Sequence, residues 1–483
     1  MRPVLFFAAT LACALPASAL NVVFILADDL GYGELGCFGQ EKIHTPNIDR
    51  LAKEGTKLTH HYSGAPVCAP ARCTLMTGKH LGHAEIRGNR QAKVSFPQFK
   101  EGQHPISADI ATLPAAFQKA GYATAAIGKW GLGPAGSTGD PNKHGFDLFF
   151  GYNCQAVAHS YYPRFLWRNG EQVEINPTPI PGNAKQPEGD VKAETWIGKT
   201  YAPDLMVKEA REFISSNKAK PFFLYLAFIE PHVAIHPPLD RLDEYPKEWD
   251  TTPYRGEKGY VPHPRPHAAY AAMISDLDRH VGAVREALEK AGVLDETLIV
   301  FTSDNGATHD VGGADTKFFN SVGELNGRKG SVYEGGLRVP TLVRLPGKVR
   351  AGAENATPGF FPDWFPTLCA ATGLKAPDGL DGLNLWPALT SDAKVERAKP
   401  MLWVFPEYGG QVAVRLGDFK VIRTNLNRKK PGPWQVFDIA KDPNETTDVS
   451  AAHPELIEQA AEILKREATP NEIFPVKIPG AGA

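Results

Sequence analysis

Apolar strands alternate with amphipathic helices up to about residue 395, and this alternation constrains the fold more than any other feature. Val22–Leu26 is a short β-branched run without polar alternation, as expected of a strand that is covered on both faces. The helix after it is expected to begin at Thr45-Pro46, with a capping hydroxyl and a proline in its first turn. Three helix–strand pairs follow: Leu113–Ala120 with Tyr122–Ile127, Leu205–Ile214 with Phe222–Phe228, and Ile274–Leu288 with Leu298–Phe301. The repetition predicts an α/β fold with a large mixed, mostly parallel sheet sandwiched by helices.

The pattern changes near residue 395, where short amphipathic strands replace the strand–helix alternation. The expected elements are strands at Pro400–Phe405, Gln411–Leu416, Phe419–Thr424 and Trp434–Ile439, and a terminal helix at Glu455–Lys465. These elements predict a smaller antiparallel α+β domain at 396–483, after a catalytic domain at 20–395.

The first residues have the pattern of an export signal. Arg2 supplies a positive charge, Val4–Leu15 is apolar, and Ala17–Ala19 provides small residues for cleavage. We therefore expect residues 1–19 to be a signal peptide and the mature protein to be periplasmic or secreted. No later apolar run is long enough to cross a bilayer, which argues against a stable membrane span.

Charge and cysteine content narrow the function further. Lys and Arg total 52 against 54 Asp and Glu, so the formal charge of −2 gives no surface for wrapping a polyanion, and nucleic acid is not an expected partner. Besides Cys13, five cysteines remain: Cys37, Cys68, Cys73, Cys154 and Cys369. An odd number in an exported chain leaves at least one thiol without an internal partner.

Polar residues follow several of the predicted strands. Asp28 and Asp29 follow the first strand, and Asp304 and Asn305 follow the strand through Phe301. Ligands of open parallel sheets bind beyond the carboxyl ends of the strands, so these side chains are expected to meet there. Carboxylates so close together would repel unless a cation lay between them, and all-oxygen ligands select Ca²⁺ or Mg²⁺ over zinc. Either pair alone could also be a turn or a helix cap.

The segment Pro66–Lys79 carries the most specific motif of the chain. Cys68, Pro70 and Arg72 stand in a Cys-x-Pro-x-Arg pattern, and Leu75–Gly78 completes it as Leu-x-Thr-Gly. With this motif the sequence resembles the formylglycine-dependent (type I) sulfatases of the alkaline-phosphatase superfamily. The resemblance covers nearly the whole mature chain and continues through Asp28-Asp29, Gly128–Trp130, Ser303–Gly306, Gly327–Gly330, Glu334–Gly336, Trp434–Asp438 and Asp442-Pro443.

The resemblance implies a sulfuric ester hydrolase in which a maturation enzyme oxidises Cys68 to formylglycine. Asp28, Asp29, Asp304, Asn305 and residue 68 would bind the metal, with Ca²⁺ favoured over Mg²⁺. The other implied roles are Arg72 holding the hydrated aldehyde, Lys129 and Lys329 binding sulfate oxygens, and His232 protonating the leaving oxygen, with His236 as its competitor. Cys73 is expected to pack in the core of the following helix. Loss of the Cys68 thiol would leave four cysteines, whose pairing the sequence does not specify.

The sequence departs from the family pattern directly after Lys129-Trp130. Many sulfatases continue this motif with a histidine that contacts the hydrated aldehyde and can serve as a base, whereas this chain has Gly131. His159, in an irregular segment, is our candidate for its replacement.

The segment from about residue 152 to 200 has little periodicity but many aromatic residues, and Tyr152–Arg168 is expected to form a wall that recognises sugar rings. The expected substrate contacts are Lys129, His232, Lys329, Gln155, His159 and Arg87, with His80, His83 and Asn89 as further candidates. The predicted substrate is a sulfated carbohydrate of the galactose or N-acetylgalactosamine type. Two alternatives remain: a phosphodiester or phosphonate ester hydrolase of the same superfamily, and a catalytically silent carbohydrate-binding protein if Cys68 stays unmodified.

Overall fold

A computed structural model describes residues 19–391 and 393–478. The predicted signal peptide lies outside these residues, except for Ala19. The strands of the described part are β1 Asn21–Ala27, β2 Thr56–Leu58, β3 His61–Tyr62, β4 Ala123–Lys129, β5 Leu148–Tyr152, β6 Phe165–Arg168, β7 Glu171–Glu174, β8 Phe222–Ala227, β9 Thr297–Ser303, β10 Thr341–Arg344, β11 Ala353–Asn355, β12 Gly359–Phe360, β13 Met401–Phe405, β14 Gln411–Leu416, β15 Phe419–Arg423 and β16 Trp434–Asp438. The α-helices are α1 Pro46–Glu54, α2 Cys68–Thr77, α3 Leu113–Lys119, α4 Ala202–Asn217, α5 Pro266–Lys290, α6 Glu334–Leu337, α7 Trp364–Thr372, α8 Trp386–Thr390 and α9 Pro454–Glu467. Within the described part, none of these helices combines the length and the apolar character that a bilayer crossing requires.

Ten strands form one sheet in the order β11-β2-β10-β9-β1-β8-β4-β5-β6-β7. The central strands β9, β1, β8, β4 and β5 are parallel, whereas β10, β6 and β7 pair antiparallel with their neighbours. The predicted mixed, mostly parallel α/β sheet is therefore confirmed.

Both faces of the sheet are covered, as the apolar character of the first strand predicts. Val22, Phe24 and Leu26 pack into one hydrophobic core with residues of α2, α3 and α7. Val23 and Ile25 point to the other face, into a second core with residues of α1, α4 and α5. This double burial fixes the register of β1 and therefore the position of the residues that follow it.

The start of α1 differs from the predicted capping arrangement. Thr45 precedes the helix, but its hydroxyl accepts a hydrogen bond from the Gly36 N–H and makes no bond to the helix backbone. The Asp278 carboxylate of α5 accepts instead from the N–H groups of Asn47 and Ile48, at 3.2 and 2.7 Å. A distant carboxylate thus replaces the predicted local cap, because it supplies the acceptor that the first turn needs.

The C-terminal strands form a second sheet in the order β13-β14-β15-β16, with every pair antiparallel. Its bounds agree with the predicted strands to within one residue, and α9 packs against it. The Trp403 indole of β13 donates to the Ser63 carbonyl at 2.9 Å and thereby joins this sheet to the larger unit. The predicted boundary at residue 395 falls between α8 and β13.

The segment after Tyr152 is more regular than expected. Strands β6 and β7 form an antiparallel hairpin that extends the large sheet at its edge. Asn169-Gly170 makes the turn, and both residues have a positive φ. An Asn-Gly pair between two strands is the sequence signal of such a hairpin turn.

Candidate active site

The ends of two neighbouring parallel strands bring four predicted metal ligands together. β1 leads into Asp28 and Asp29, and β9 leads into Asp304 and Asn305; all four side chains are buried. The Asp29 N–H donates to Asp304 Oδ1 at 3.1 Å, and Asn305 Nδ2 donates to Asp29 Oδ1 at 2.8 Å. Sheet pairing therefore assembles the cluster from residues that are far apart in the sequence.

Cys68 is the first residue of α2 and faces this cluster. Its Sγ lies 3.5 Å from Asp28 Oδ1 and 3.6 Å from the Lys329 ammonium nitrogen. Asn89, a candidate substrate contact, accepts a hydrogen bond from the N–H of Ala69 at 2.9 Å, next to Cys68. A helix N-terminus favours an anion, so residue 68 stands where a negatively charged group would be stabilised.

Arg72 lies one helical turn after Cys68, and its guanidinium is fully buried. It contacts Asp304 Oδ2 at 2.7 Å and Asp28 Oδ2 at 3.5 Å, and it donates to the Lys129 carbonyl at 2.5 Å. Arg72 therefore connects the two carboxylate-bearing strand ends with the end of β4.

Three further basic side chains surround the carboxylates. Lys129 contacts Asp28 at 2.5 Å, and Lys329 contacts Asp29 at 2.8 Å. His232 is on the Lys329 side, with its Nε2 3.2 Å from the Lys329 nitrogen and 3.5 Å from Asp29 Oδ2. The two lysines thus bring positive charge, and His232 a hydrogen-bonding imidazole, to the surroundings of the carboxylates, which suits an anionic ester.

Burial and charge act in opposite directions on the acidic groups. Burial would raise the pKa of Asp28, but Lys129, His232 and Arg72 outweigh it and hold that pKa well below its ordinary value. For Asp304 the balance is reversed: burial and the negative charge of Asp28 raise its pKa to about 6 despite the Arg72 contact. The raised pKa of Asp304 therefore reflects burial and negative charge that the neighbouring cations do not fully offset.

The donor set fits a hard divalent cation. The side-chain oxygen Oδ1 of Asn305 is buried and has no hydrogen-bond partner. Ligand atoms of Asp28, Asp29, Cys68 and His232 all lie within 4.8 Å of one another. Because carboxylate and amide oxygens are the ligands of Ca²⁺ and Mg²⁺, an ion here would satisfy the orphaned oxygen and the clustered negative charge together.

Comparison with known proteins identifies the family. The Sulfatase family profile matches residues 20–374, which is more than half of the chain. The chain belongs to the sulfatase family. A profile for the C-terminal region of N-sulphoglucosamine sulphohydrolase also matches this sulfatase, over residues 328–469. Membership of the alkaline-phosphatase superfamily follows, as the resemblance implied.

Individual relatives agree with this assignment. The sulfatase is 31% identical to the N-acetylgalactosamine-6-sulfatase of Rattus norvegicus over 432 residues, which cover 87% of this chain and 74% of that one. It is 31% identical to the steryl-sulfatase of Mus musculus over 430 residues, which cover 77% of this chain and only 65% of that relative. The crystal structure of Ps i-CgsB in complex with k-i-k-neocarrahexaose superposes with a TM-score of 0.76 at 28% identity, covering 93% of this chain and 94% of that one.

The structure distinguishes between the two candidate histidines of the sulfatase. His232 contacts Lys329 and Asp29, as described above. His236 is fully buried beside the rings of Tyr161 and Tyr162, at centroid distances of 6.2 and 5.9 Å. Burial and the charge of Lys329 lower the pKa of His232 to about 4. An anionic group between His232 and Lys329 would raise that pKa, because it would oppose the lysine charge.

His159 lies beside His232 and not beside Gly131. The two imidazole rings stack with centroids 4.9 Å apart and an interplanar angle of 13°. Burial and the nearby His232 lower the pKa of His159 to about 2, which keeps the ring neutral. The space next to Gly131, where we expected a replacement to act, is filled by the side chain of Gln155.

The predicted aromatic wall is wrong for its tyrosines. Tyr152, Tyr161 and Tyr162 are at most 2% exposed and belong to the hydrophobic core. Tyr161 donates instead to the carbonyls of Ile229 and His232, at 2.8 and 2.7 Å. Aromatic content alone did not reveal that these rings pack inward and support the backbone of His232.

Arg87, His80 and His83 lie outside the carboxylate cluster. The Arg87 guanidinium is buried and donates to the backbone carbonyls of Gly82, Ala84 and Thr469, so the prediction that it contacts substrate is wrong. His83 contacts Asp381 at 2.9 Å, and its ring stacks on that of His80. These residues join the loop after α2 to later segments of the chain.

The sequence analysis missed an aromatic residue supplied by the C-terminal sheet. Tyr408, in the loop after β13, is 53% exposed and packs over Gly330, where any β-carbon would lie 2.7 Å from its ring. His309 stacks against Tyr408 with centroids 5.8 Å apart. Both side chains lie near Lys329 in the structure. They are far from Lys329 along the chain, so the sequence did not indicate this proximity.

The five cysteines of the described part are all free thiols. Cys73 is fully buried in α2 and joins the hydrophobic core, as expected. Cys68 differs from it in facing charged groups, with Asp28 Oδ1 3.5 Å and the Lys329 nitrogen 3.6 Å from its Sγ. Burial and the nearby Asp304 raise the pKa of the Cys68 thiol, so an unmodified residue 68 would be a poor nucleophile at neutral pH.

Proposed function

We propose that this sulfatase removes sulfate from a sulfated carbohydrate, with a substrate of the galactose or N-acetylgalactosamine type. The observation that carries the proposal is the position of Cys68, at a helix N-terminus between the Asp28 carboxylate and the Lys329 ammonium group. The names of the rat N-acetylgalactosamine-6-sulfatase and of the neocarrahexaose complex support a sugar substrate. We further propose export of the mature chain to the periplasm or the exterior, a catalytic domain at 20–395 and a smaller domain at 396–483.

The proposed chemistry requires conversion of Cys68 to formylglycine by a maturation enzyme. The hydrated form of that residue would supply the oxygen that attacks sulfur. Asp28, Asp29, Asp304, Asn305 and residue 68 would hold a divalent ion, for which we favour Ca²⁺ over Mg²⁺. The ion would neutralise sulfate charge and lower the pKa of a bound hydroxyl. If residue 68 stayed an unmodified thiol, the site would lack a nucleophile comparable to the metal-bound hydroxyl.

The basic residues would bind the ester and handle its leaving group. Lys129 and Lys329 carry the charges that sulfate oxygens need, and both lie within the cluster. His232 would protonate the leaving oxygen as the bond between sulfur and that oxygen breaks. Arg72 would hold the oxygen of residue 68 and keep Asp304 in place.

We propose that His159 accepts the proton of the second hydroxyl of residue 68 as the bond between the carbon and the sulfated oxygen breaks, which expels sulfate and re-forms the aldehyde. The stacking of the His159 ring on His232 supports this assignment. His159→Ala should lower turnover more than it weakens substrate binding. Full turnover in that variant would remove His159 from the mechanism.

We propose that the sugar contacts the exposed side chain of Tyr408. Tyr408 packs on Gly330, the residue after Lys329, and an exposed aromatic residue beside a hydrogen-bonding group such as His309 suits a sugar. Gln155, His159, Lys129, His232 and Lys329 remain as the proposed substrate-side contacts.

The test combines mass spectrometry with a rate comparison. The protein is produced with a maturation enzyme, and the peptide spanning 66–79 is weighed to measure the fraction of aldehyde at residue 68. Sulfate release is then followed from sulfated galactose and N-acetylgalactosamine, and from matched phosphate esters. We expect the aldehyde, and a clear preference for the sulfate esters. A preference for phosphate would favour the phosphodiesterase alternative, and a matured protein without turnover would favour carbohydrate binding alone.

A further inference from the structure

Gly131 directly follows the Lys129-Trp130 motif. Because glycine has no side chain, the space beside it is open to another residue. The φ of Gly131 is +80°, a value that strains any residue with a β-carbon. A β-carbon built there would lie 2.1 Å from Gln155 Nε2 and 3.8 Å from Arg72 Cδ. The carboxamide of Gln155 therefore fills the space that a side chain at 131 would enter, next to the Arg72 side chain.

This carboxamide is buried without any hydrogen-bond partner. Gln155 is 6% exposed, and both its Nε2 and its Oε1 lack a partner, although its backbone N–H donates to Gln103 Oε1 at 3.0 Å. A buried amide with neither its donor nor its acceptor used is costly to the fold. The unpaired amide is explained if a group that enters the site on maturation or on substrate binding makes these hydrogen bonds.

Neighbouring protein groups do not offer those bonds. The Nε and Nη2 atoms of Arg72 donate to Asp304, and its Nη1 donates to the Lys129 carbonyl. The Arg72 side chain, beside which the carboxamide lies, is itself part of the site, because Arg72 follows Cys68 by one turn of α2 and contacts the carboxylates of Asp28 and Asp304. Residue 68 stands one helical turn before Arg72, so an oxygen on the matured residue or on its sulfate is a partner that the unmodified protein lacks.

We propose that Gln155 binds the oxygen of the matured residue 68, and that it does so through the space left by Gly131. Its Nε2 donates to this oxygen and its Oε1 accepts from the hydroxyl, so the amide orients the group but takes no proton at neutral pH. This inference rests on the proposed function and adds a residue that contacts the reacting atoms. A sugar hydroxyl is the competing partner, and the experiment separates the two.

The decisive variant is Gln155→Met, which keeps the length of the side chain and removes both polar atoms. Melting temperature is measured on the protein with an unmodified thiol at residue 68. Turnover is measured on matured protein, per mole of aldehyde, with an aryl sulfate that has no sugar hydroxyls. Gln118→Met is the matched control, because Gln118 lies on α3 and its amide bonds only the exposed side chain of Asp147 in the described contacts.

We expect Gln155→Met to melt at the same temperature or higher, because two unsatisfied buried atoms are removed. Its kcat on the aryl sulfate should fall at least tenfold, with KM changed less than twofold. A purely structural amide would instead lower the melting temperature, and that result overturns the proposal. Unchanged kcat on the aryl sulfate also overturns it, and a loss confined to sugar substrates assigns Gln155 to the sugar.

Failure of the proposed function has a different signature. If wild type and Gln118→Met both carry the aldehyde and neither releases sulfate, the sulfatase assignment of the site fails as a whole. If both turn over and only Gln155→Met is impaired, the inference about Gln155 stands.

Discussion

Two buried clusters of charge in this protein have similar composition but different surroundings. The active-site cluster combines three aspartates with Arg72, Lys129 and Lys329, as described above. The second cluster lies between the two sheets and combines Glu334 and Glu445 with Lys420 and Arg338. Comparing them shows which features of a buried ionic cluster indicate chemistry and which indicate assembly.

The inter-sheet cluster is closed by its own partners. Lys420 of β15 lies 2.8 Å from Glu334 and 3.2 Å from Glu445. The Tyr62 hydroxyl donates to Glu334 at 2.7 Å, and the Glu334 N–H donates to Glu445 at 2.7 Å. These contacts join the small sheet to the α6 region of the larger unit. Each charge faces an opposite charge of the protein itself, which is what a structural role requires.

The active-site cluster contains polar atoms that the protein does not satisfy. Asn305 Oδ1 and both amide atoms of Gln155 are buried without partners, and a helix N-terminus points at the cluster through Cys68. Glu445 Oε1 of the inter-sheet cluster also lacks a hydrogen bond, but Lys420 lies 3.2 Å from it. The difference between the clusters is therefore that the unsatisfied amide atoms of the active site have no such charged partner in the protein. Such atoms indicate where a ligand belongs, whereas charge alone does not.

The largest effect is expected from removing the proposed nucleophile. Cys68→Ala should reduce turnover about 10⁴-fold or more, equivalent to about 5 kcal/mol of barrier, because the remaining residues supply no substitute oxygen. The melting temperature should change little, which calorimetry would check. Cys73→Ala, in the core side of the same helix, should destabilise the protein but keep turnover per folded molecule. Turnover above about 1% in Cys68→Ala would contradict the nucleophile assignment.

The matching change in the inter-sheet cluster should affect stability and leave catalysis intact. Lys420→Met leaves two carboxylates without their shared cation, so we expect a loss of about 3–5 kcal/mol in the free energy of unfolding. Denaturant unfolding measures the loss, and kcat of the folded protein should stay constant. The double variant Lys420→Met with Glu445→Gln should recover part of the stability. A large fall in kcat would mean that this cluster also positions the active site.

Calcium should stabilise the protein through one cluster only. Ca²⁺ at about 100 times its Kd adds about 2.7 kcal/mol to the free energy of unfolding, provided that it binds the folded state alone. Thermal unfolding after chelation and after addition of Ca²⁺ measures this effect. Asp304→Asn should diminish the response, and Lys420→Met should retain it. A larger response to Mg²⁺ than to Ca²⁺ would contradict the proposed metal preference.

Features that depend on local sequence patterns were predictable, whereas features that depend on contacts between distant segments were not. The positions of Asp28 and Asp304 were predictable, because continuous apolar strands place their ends at one edge of a parallel sheet. The inward orientation of Tyr161 was not predictable, since aromatic content does not reveal which face of a loop packs on the core. Tyr408 reaches the site from another sheet. The Gln155 side chain fills the space next to Gly131, and this contact between two separate segments leaves no local signal in the sequence. The capping failure at Thr45 has the same origin, because the acceptor comes from Asp278 of a distant helix.

The smallest effect is expected from pH, and it should arise in the inter-sheet cluster. Burial, together with the negative charge of Glu334, raises the pKa of Glu445 to about 7 from an ordinary value of 4.5, although Lys420 opposes the shift. The folded pKa exceeds the unfolded one, so this contribution to stability is fully present below pH 4.5 and is lost as pH rises through 7.

Glu445→Gln should remove this dependence. Relative to the variant, wild type should lose about 2 kcal/mol of unfolding free energy between pH 5 and pH 8, because the ionised carboxylate of Glu445 then faces Glu334 with only Lys420 between them. Denaturant unfolding across this range measures the difference, and Glu458→Gln on the exposed face of α9 should track wild type at every pH. A constant difference for Glu445→Gln would mean that Lys420 alone balances both carboxylates, and the contrast between a closed and an open cluster would then be sharper.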